Sequence, residues 1–183
     1  MIFLTVGTQL AFPRLAKALD EYAARSNEEV IAQIGDDTES YPNLDVRRIM
    51  KPAEFAETFQ RARIVVAHAG IGTILTARQH QRPLIIVPRR HELGEHRNDH
   101  QVATAKAFCD ITGLHFAMET SELDALLRQP DLDPVSVDYS ARHDDLVNGI
   151  SEFISMLKTD HKDGPGLFAR LFSRLGQPRA AVK

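Results

Sequence analysis

The fold of this 183-residue chain is decided by the stretch Ile64-Val-Val-Ala-His68-Ala-Gly70-Ile-Gly72-Thr73-Ile-Leu75. Its first half is an apolar run rich in β-branched residues, which is typical of a buried strand. Two glycines interrupt the run, and Thr73 begins a segment compatible with a helix. Such a turn directs free backbone N–H groups and the positive end of a helix dipole to one point, where phosphate groups commonly bind. His68 adds a group that can carry a positive charge or a hydrogen bond.

Two interpretations of this turn remain open from the residues alone. Strand–glycine–helix turns also occur in α/β proteins for packing reasons, without any bound anion. The dinucleotide-binding fingerprint is not matched, because Leu75 stands where its third glycine would fall and Arg97 stands near the place of its acidic residue. No Gly-Lys-Ser/Thr follows, which excludes a P-loop. We therefore expect no nicotinamide or flavin site and no cofactor.

Short apolar runs alternate with amphipathic segments along the rest of the chain. Strands are predicted at residues 2–6, 30–34, 45–49, 64–67, 83–87 and 115–117. Helices are predicted at residues 10–25, 52–61, 71–80, 97–110, 121–128 and 144–157. This alternation predicts an α/β fold, a Rossmann-like parallel sheet with helices on both faces and sites at the carboxyl ends of its strands.

The bulk composition predicts a water-soluble protein of a reducing compartment. Hydrophobic residues make up 43% of the chain and charged residues 26%, which is ordinary for a globular domain. The net charge of −3 offers no general attraction to nucleic acid. Cys109 is the single cysteine, no apolar stretch approaches the ~20 residues that cross a bilayer, and the apolar start lacks a basic leader. We expect a cytoplasmic location.

The chain is predicted to divide into an α/β domain at residues 1–158 and a tail at residues 159–183. The tail contains a linker and a short amphipathic helix with Arg170 and Arg174 on its polar side. Three roles stay open for this helix, namely contact with an anionic membrane surface, docking on a partner, and packing on its own domain. Its apolar face consists of Leu167, Phe168, Leu171, Phe172 and Leu175.

Three ordered segments together resemble a known family. They are Val66-Ala-His-Ala-Gly-Ile-Gly-Thr73, Arg82-Pro-Leu-Ile-Ile-Val-Pro88 and Asp99-His-Gln101, and they are similar to the carboxyl-terminal, donor-binding half of family 28 glycosyltransferases, which have the GT-B fold. The start, Phe3-Leu-Thr-Val-Gly-Thr8, resembles the split members of that family. In these, a short donor-binding subunit works with a membrane-associated subunit, as in bacterial exopolysaccharide enzymes and the dolichol-linked N-acetylglucosaminyltransferase. The resemblance covers residues 1–155.

The resemblance implies an inverting transfer of a hexosyl group from a UDP-sugar, with UDP as the leaving group. The negative charge that grows on the diphosphate would be stabilised by His68, Thr73 and the backbone around Gly70 and Gly72, without a metal. His68 and Thr73 are therefore the expected catalytic residues. Gly7-Thr8, at the end of the first strand, would complete the phosphate cradle.

Other positions of the family pattern imply contacts with the rest of the donor. Gln101 and Asp99 match positions that hydrogen-bond sugar hydroxyls. The Met50-Lys51 loop matches the region that holds uracil. Thr76 stands where many members have a glutamate that binds the ribose hydroxyls, so at most a weaker hydroxyl contact is expected there.

A basic cluster follows the fifth predicted strand and allows two interpretations. It is either a solvated loop interleaved with Glu92 and Glu95, or a contact surface for UDP phosphates or a sugar carboxylate, to which arginine presents a bidentate fork. The second interpretation assigns Arg89 and His96 to the donor site and suits UDP-glucuronate, with UDP-N-acetylglucosamine as the other candidate donor. The cluster consists of Arg89, Arg90, His91, His96 and Arg97.

The chain has about half the length of a complete two-domain enzyme of this family and contains no convincing general base. We therefore expect a donor-binding catalytic subunit that needs a membrane-anchored, acceptor-binding partner, with a lipid-linked acceptor in exopolysaccharide synthesis. Such a chain would be recruited to the inner face of the membrane. Two alternatives remain, a nucleotide-sugar-binding module without turnover and a protein related to sugar-nucleotide epimerases.

Overall fold

A computed structural model describes residues 1–109 and 111–136. The predicted helix at 144–157, the amphipathic tail helix and the proposed domain boundary at 158 lie outside these residues. Strands of the described part are β1 (Ile2–Thr5), β2 (Val30–Gln33), β3 (Asp45–Arg47), β4 (Ile64–His68), β5 (Leu84–Val87) and β6 (Leu114–Phe116). Helices are α1 (Pro13–Ser26), α2 (Pro52–Arg61), α3 (Ile71–His80), α4 (His100–Ala107) and α5 (Leu123–Leu127), the last preceded by a 3₁₀ turn at Thr120–Glu122.

The predicted fold class is confirmed. The six strands form one parallel sheet in the order β3-β2-β1-β4-β5-β6. Helices cover both faces of the sheet, because its central strands are apolar on both sides. In β1, Leu4 faces a core with Leu15 of α1, whereas its neighbour Phe3 faces a second core with Phe59 of α2 and Ile74 of α3. Each fully buried side chain of this kind contributes about 1.5–3 kcal/mol.

Two helix starts differ from the sequence prediction. The first helix begins at Pro13 and not at residue 10, since proline has a helical φ and no N–H to satisfy, which suits the first helical position. The fourth begins at His100 and not at residue 97, because residues 88–99 form a loop whose backbone groups bond within the loop and to side chains, as in Glu95 N–H to Arg90 carbonyl. Both differences lengthen loops at the carboxyl edge of the sheet.

The strand order brings two loops together at the centre of the sheet. The chain leaves β1 toward β2 and β3, then returns to place β4 on the other side of β1. Thr5 of β1 is in register with Ala67 of β4, so the loops that follow these strands begin side by side. In open parallel sheets, ligands bind in the crevice where the strand order reverses in this way.

Candidate functional site

A cavity of about 420 Å³ lies at this crevice. It is formed by the loop after β1, the turn between β4 and α3, and the segment after β5. Most of the residues predicted for the donor site line it. They are Gly7, Thr8, His68, Gly70, Gly72, Thr73, Arg89, His96 and Gln101.

Two of the three glycines are required because the imidazole of His68 packs against their backbone. Gly7 has a φ of +81°, and a Cβ there would lie 2.9 Å from His68 Cε1. A Cβ on Gly70 would lie 2.5 Å from His68 Nε2. A Cβ on Gly72 would meet nothing within 4 Å. Only Gly72 therefore leaves its backbone open to an incoming group, and the other two make room for histidine.

The unbonded N–H groups of the turn are fewer than the sequence suggests. Gly70 N–H donates to the His68 carbonyl at 2.7 Å, and Thr73 N–H donates to the Gly70 carbonyl at 3.1 Å. Within the described part of the chain, the N–H groups of Ile71 and Gly72 have no hydrogen-bond partner. These two groups, at the first two positions of α3, carry the partial positive charge of its N-terminus.

The loop after β1 provides a second set of donors. Among residues 1–109 and 111–136, the backbone N–H groups of Thr8, Gln9 and Leu10 have no bonded acceptor, and these residues line the cavity. Gln9 and Leu10 were not singled out from sequence, although they directly follow the predicted Gly7-Thr8 pair. Extending the predicted Gly7-Thr8 pair by two residues would have included both of them.

His68 is held in its neutral form. Burial lowers its pKa to about 4, and the positive charge of Arg89 adds to this shift, while the backbone of Thr5 offsets part of it. At neutral pH the imidazole therefore does not act as the cation that the sequence allowed. A neutral imidazole still donates one hydrogen bond from one ring nitrogen.

The shifted pKa predicts how acid affects stability. The pKa of His68 is about 4 in the folded chain and 6.5 for the unperturbed side chain, so the unfolded state takes up the proton first. Stability should fall as pH drops through 6.5 toward 4, by about 2 kcal/mol between pH 8 and pH 5 from this residue. In urea unfolding, the free energy of unfolding of His68→Asn should fall by about 2 kcal/mol less than that of the wild type between pH 8 and pH 5.

His80→Gln provides the control for this measurement, because His80 contacts Gln60 outside the cavity. His68→Asn should be less sensitive to acid than this variant as well as than the wild type. Equal pH dependence of His68→Asn and the wild type would contradict the neutral, buried state of His68.

Arg89 is not a solvated loop cation. Its side chain is 2% exposed, and its guanidinium donates to the carbonyls of Val6 at 3.0 Å, Leu10 at 2.7 Å and Ala11. It also lies over the ring of Phe12, 4.4 Å from the centroid. Both Nη atoms are engaged with the protein backbone, so the bidentate fork expected from sequence is not free for a ligand.

The segment after β5 brings two further predicted residues to the cavity. Gln101 is 4% exposed, and its Oε1 accepts the backbone N–H of Arg89 at 3.0 Å. His96 has a buried Nδ1 without a hydrogen-bond partner in the described part of the chain. Its ring packs edge-on against His100 at 4.3 Å.

Four predicted residues lie away from the cavity. Met50 is buried, with its N–H bonded to Gln33 Oε1 at 3.1 Å, and Lys51 is an exposed residue at the start of α2. The Thr76 hydroxyl donates to the Gly72 carbonyl at 2.8 Å. Asp99 Oδ1 accepts the N–H of His91 at 2.9 Å. In the structure, each of these groups is engaged in local hydrogen bonds or faces solvent, and none lines the cavity.

Residues 1–109 and 111–136 contain neither a metal-binding cluster nor a membrane-spanning helix. No set of three or more His, Cys, Asp or Glu side chains is arranged to hold a metal ion. In the same residues, no helix has the length and apolar character to span a bilayer.

The family of the chain follows from comparison with known proteins. The model of the glycosyltransferase family 28 C-terminal domain matches residues 1–144. The chain therefore belongs to this glycosyltransferase family. A search of curated proteins found no significant match.

Solved structures share the fold at low sequence identity. The solution structure of ALG13 is 19% identical with a TM-score of 0.55, and the match covers 79% of this chain and 93% of ALG13. The glycotransferase of kitacinnamycin is 21% identical with a TM-score of 0.52, over 70% of this chain and 35% of that protein. A Methanocaldococcus jannaschii UDP-GlcNAc 2-epimerase in complex with UDP-GlcNAc and UDP is 10% identical with a TM-score of 0.51. The match covers 82% of this chain and 45% of the epimerase. The chain spans 31–39% of the first three structures that it matches.

Proposed function

We propose that this chain binds the UDP-sugar donor of an inverting glycosyltransferase, with the diphosphate in the cavity between β1 and β4. The observation that carries this proposal is the pair of N–H groups at Ile71 and Gly72, which have no partner in the described structure, together with open space where a Cβ of Gly72 would lie. A diphosphate that approaches this backbone gains two hydrogen bonds and the helix dipole. Families of this kind need such donors because negative charge grows on the departing UDP.

His68 and Thr73 are the proposed catalytic residues at this point. His68 is neutral, so it would donate a single hydrogen bond to a phosphate oxygen and would become easier to protonate as the anion binds. Thr73 lines the cavity, and its hydroxyl has no hydrogen-bond partner within the described residues. UDP-N-acetylglucosamine and UDP-glucuronate are both candidate donors, and the hexosyl group would pass to a lipid-linked acceptor in exopolysaccharide synthesis.

Direct binding of UDP tests this proposal. Calorimetry of the full chain in EDTA should give a UDP affinity at least about 10-fold tighter than that for UMP, because the second phosphate adds charge-assisted bonds to the N–H groups. We expect binding without a metal, since the described residues that line the cavity include no Asp or Glu, whose carboxylates are the usual protein anchors of Mg²⁺. Equal affinity for UDP and UMP, or UDP binding that requires added Mg²⁺ or Mn²⁺, would contradict it.

We further propose that a membrane-anchored, acceptor-binding subunit covers the carboxyl edge of the sheet. Large apolar side chains are exposed there, with Leu10 46%, Ile71 41%, Leu75 57% and Leu93 51% accessible. Leu10 follows β1, Ile71 and Leu75 belong to α3 after β4, and Leu93 follows β5. Apolar groups around the mouth of a polar cavity favour a protein interface. Such a partner would bring this cytoplasmic chain to the inner face of the membrane.

A nucleotide-sugar-binding module without turnover is the second candidate. One observation favours it, because no carboxylate of residues 1–109 or 111–136 lines the cavity and His68 is a weak base with a pKa of about 4. The two candidates differ in whether a partner subunit supplies the general base for sugar transfer. Sugar transfer by the assembled pair would exclude the module, and an epimerase would instead convert the free UDP-sugar without an acceptor.

A further inference from the structure

Arg89 fixes the backbone of the loop after β1 from beneath. Among the described residues its guanidinium donates to no carboxylate, and it donates instead to the carbonyls of Val6, Leu10 and Ala11. In a trans peptide plane the C=O and the following N–H point in opposite directions. Bonds to these carbonyls therefore fix the peptide planes at both ends of the loop, on either side of the unbonded N–H groups of residues 8–10 in the described structure. The contacts span 78 to 83 residues of sequence.

The positive charge of Arg89 has no bonded counter-charge among the described residues. The carboxylate of Glu95 acts on Arg89 electrostatically, without a hydrogen bond to it. Arg14 already binds both oxygens of Glu95, at 2.6 and 2.9 Å, and the backbone N–H of Arg90 donates to Glu95 Oε2 at 2.9 Å. Burial lowers the pKa of Arg89 to about 10, which still leaves it charged at neutral pH. A buried cation without an ion-pair partner is costly, and an anion in the adjoining cavity removes part of that cost.

A second set of contacts holds the segment after β5 against the start of α1 and lies outside the cavity. Arg14 of α1 binds Glu95 and also donates to the carbonyl of Pro88 at 3.1 Å. Arg14 therefore also holds the start of α1 against the segment after β5. Its charge is neutralised by Glu95, and it does not line the cavity. Arg14 is a suitable control for Arg89, because it also bonds to the segment after β5 but its charge is paired with Glu95.

We propose that Arg89 is a positioning residue that holds the loop after β1 in its donor-binding form and gives the cavity its preference for a diphosphate over an uncharged nucleoside. This inference rests on the proposed donor site. Arg89 acts through the backbone of Gly7–Ala11 and through its charge, and not through a bidentate contact with the ligand. The affinity for uridine, which lacks phosphate, should not depend on Arg89.

The test measures UDP by calorimetry and uridine by NMR titration, with the full chain and three variants. Arg89→Met should weaken UDP by about 30-fold or more, because both the loop geometry and the counter-charge are lost, and should change uridine by less than about 3-fold. Arg89→Lys keeps the charge but not the three carbonyl bonds, so its UDP affinity should lie between those of the wild type and Arg89→Met. Arg14→Met should leave both ligands within about 3-fold of the wild type.

Each outcome decides between a positioning role and a purely structural one. Equal loss of UDP and uridine in the Arg89 variants, or the same UDP loss in Arg14→Met, would overturn the proposal. If Arg89→Met does not fold, Arg89→Lys alone must weaken UDP selectively. A wild type that binds UDP no better than uridine would overturn the donor site itself. A wild type that prefers UDP, together with unaltered Arg89 variants, would overturn only the role of Arg89.

Discussion

Sugar transfer by the isolated chain should be at least about 1,000-fold slower than transfer by the chain co-expressed with the proposed acceptor-binding partner. The proposed function assigns the cavity to the leaving diphosphate, but the described residues that line it include no carboxylate that would accept the proton of the attacking hydroxyl. Positioning of the acceptor supplies much of the rate in a two-substrate reaction, and a missing acceptor site removes it. The measurement is transfer from a panel of radiolabelled UDP-sugars into lipid, with membranes that contain the partner.

UDP binding by the isolated chain is the internal control, because it should persist without the partner. Leu75→Asp places a charge on the exposed apolar edge and should reduce both co-purification with the partner and transfer. Gln79→Asp is a matched change at an exposed position of the same helix and should affect neither. Equal rates for the isolated and co-expressed chain would refute the split enzyme.

The tail separates two routes of recruitment. Truncation at Asp160, outside the described residues, should reduce membrane recovery more than UDP binding if residues 167–175 form a membrane or partner contact. If recovery is unchanged in the truncated chain and lost in Leu75→Asp, the α/β domain carries the interface.

Gly72→Val should lower UDP affinity by about 100-fold or more while the protein remains folded. The added Cβ meets nothing within 4 Å, so the fold has room for it. The side chain would occupy the space through which a phosphate reaches the N–H groups of Ile71 and Gly72. Calorimetry gives the affinity, and thermal unfolding verifies the fold.

Gly70→Ala is the contrasting variant. Its Cβ would lie 2.5 Å from His68 Nε2, so the imidazole must move and stability should fall along with UDP affinity. Gly72→Val should lose affinity alone. An unchanged UDP affinity in folded Gly72→Val would place the diphosphate elsewhere.

Helices with clear local signals were predicted well from sequence. The helices Pro52–Arg61 and Ile71–His80 have the predicted bounds, since a proline begins the first and a glycine turn begins the second. The fourth helix was predicted three residues too early, because the backbone of residues 88–99 is engaged by contacts that sequence does not reveal, such as His91 N–H to Asp99 Oδ1. Local propensity could not identify these competing acceptors.

The site was predicted best where its residues adjoin a strand end. Gly7 and the segment from His68 to Thr73 follow two central strands, and parallel topology brings such ends to one edge. Met50, Thr76 and Asp99, which the family pattern also assigns to the donor, lie outside the cavity, because such a pattern gives positions along the chain and not the direction of each side chain. Their contacts with the donor stay predictions. Hydrogen bonds to Gln33, Gly72 and His91 decide those local arrangements.

The sequence by itself determined the alternation of strands and helices, and with it a parallel sheet and a polar edge near Gly70. Periodicity and glycine turns act over a few residues, so they can be read without knowledge of the fold. Tertiary structure alone decided that Gly7 and Gly70 make room for His68 and that Gly72 is the open one of the three glycines lining the cavity. It also decided that Arg89 binds three carbonyls of a loop 78 to 83 residues away. Such contacts depend on burial and on the distance between segments in space, which no local pattern encodes.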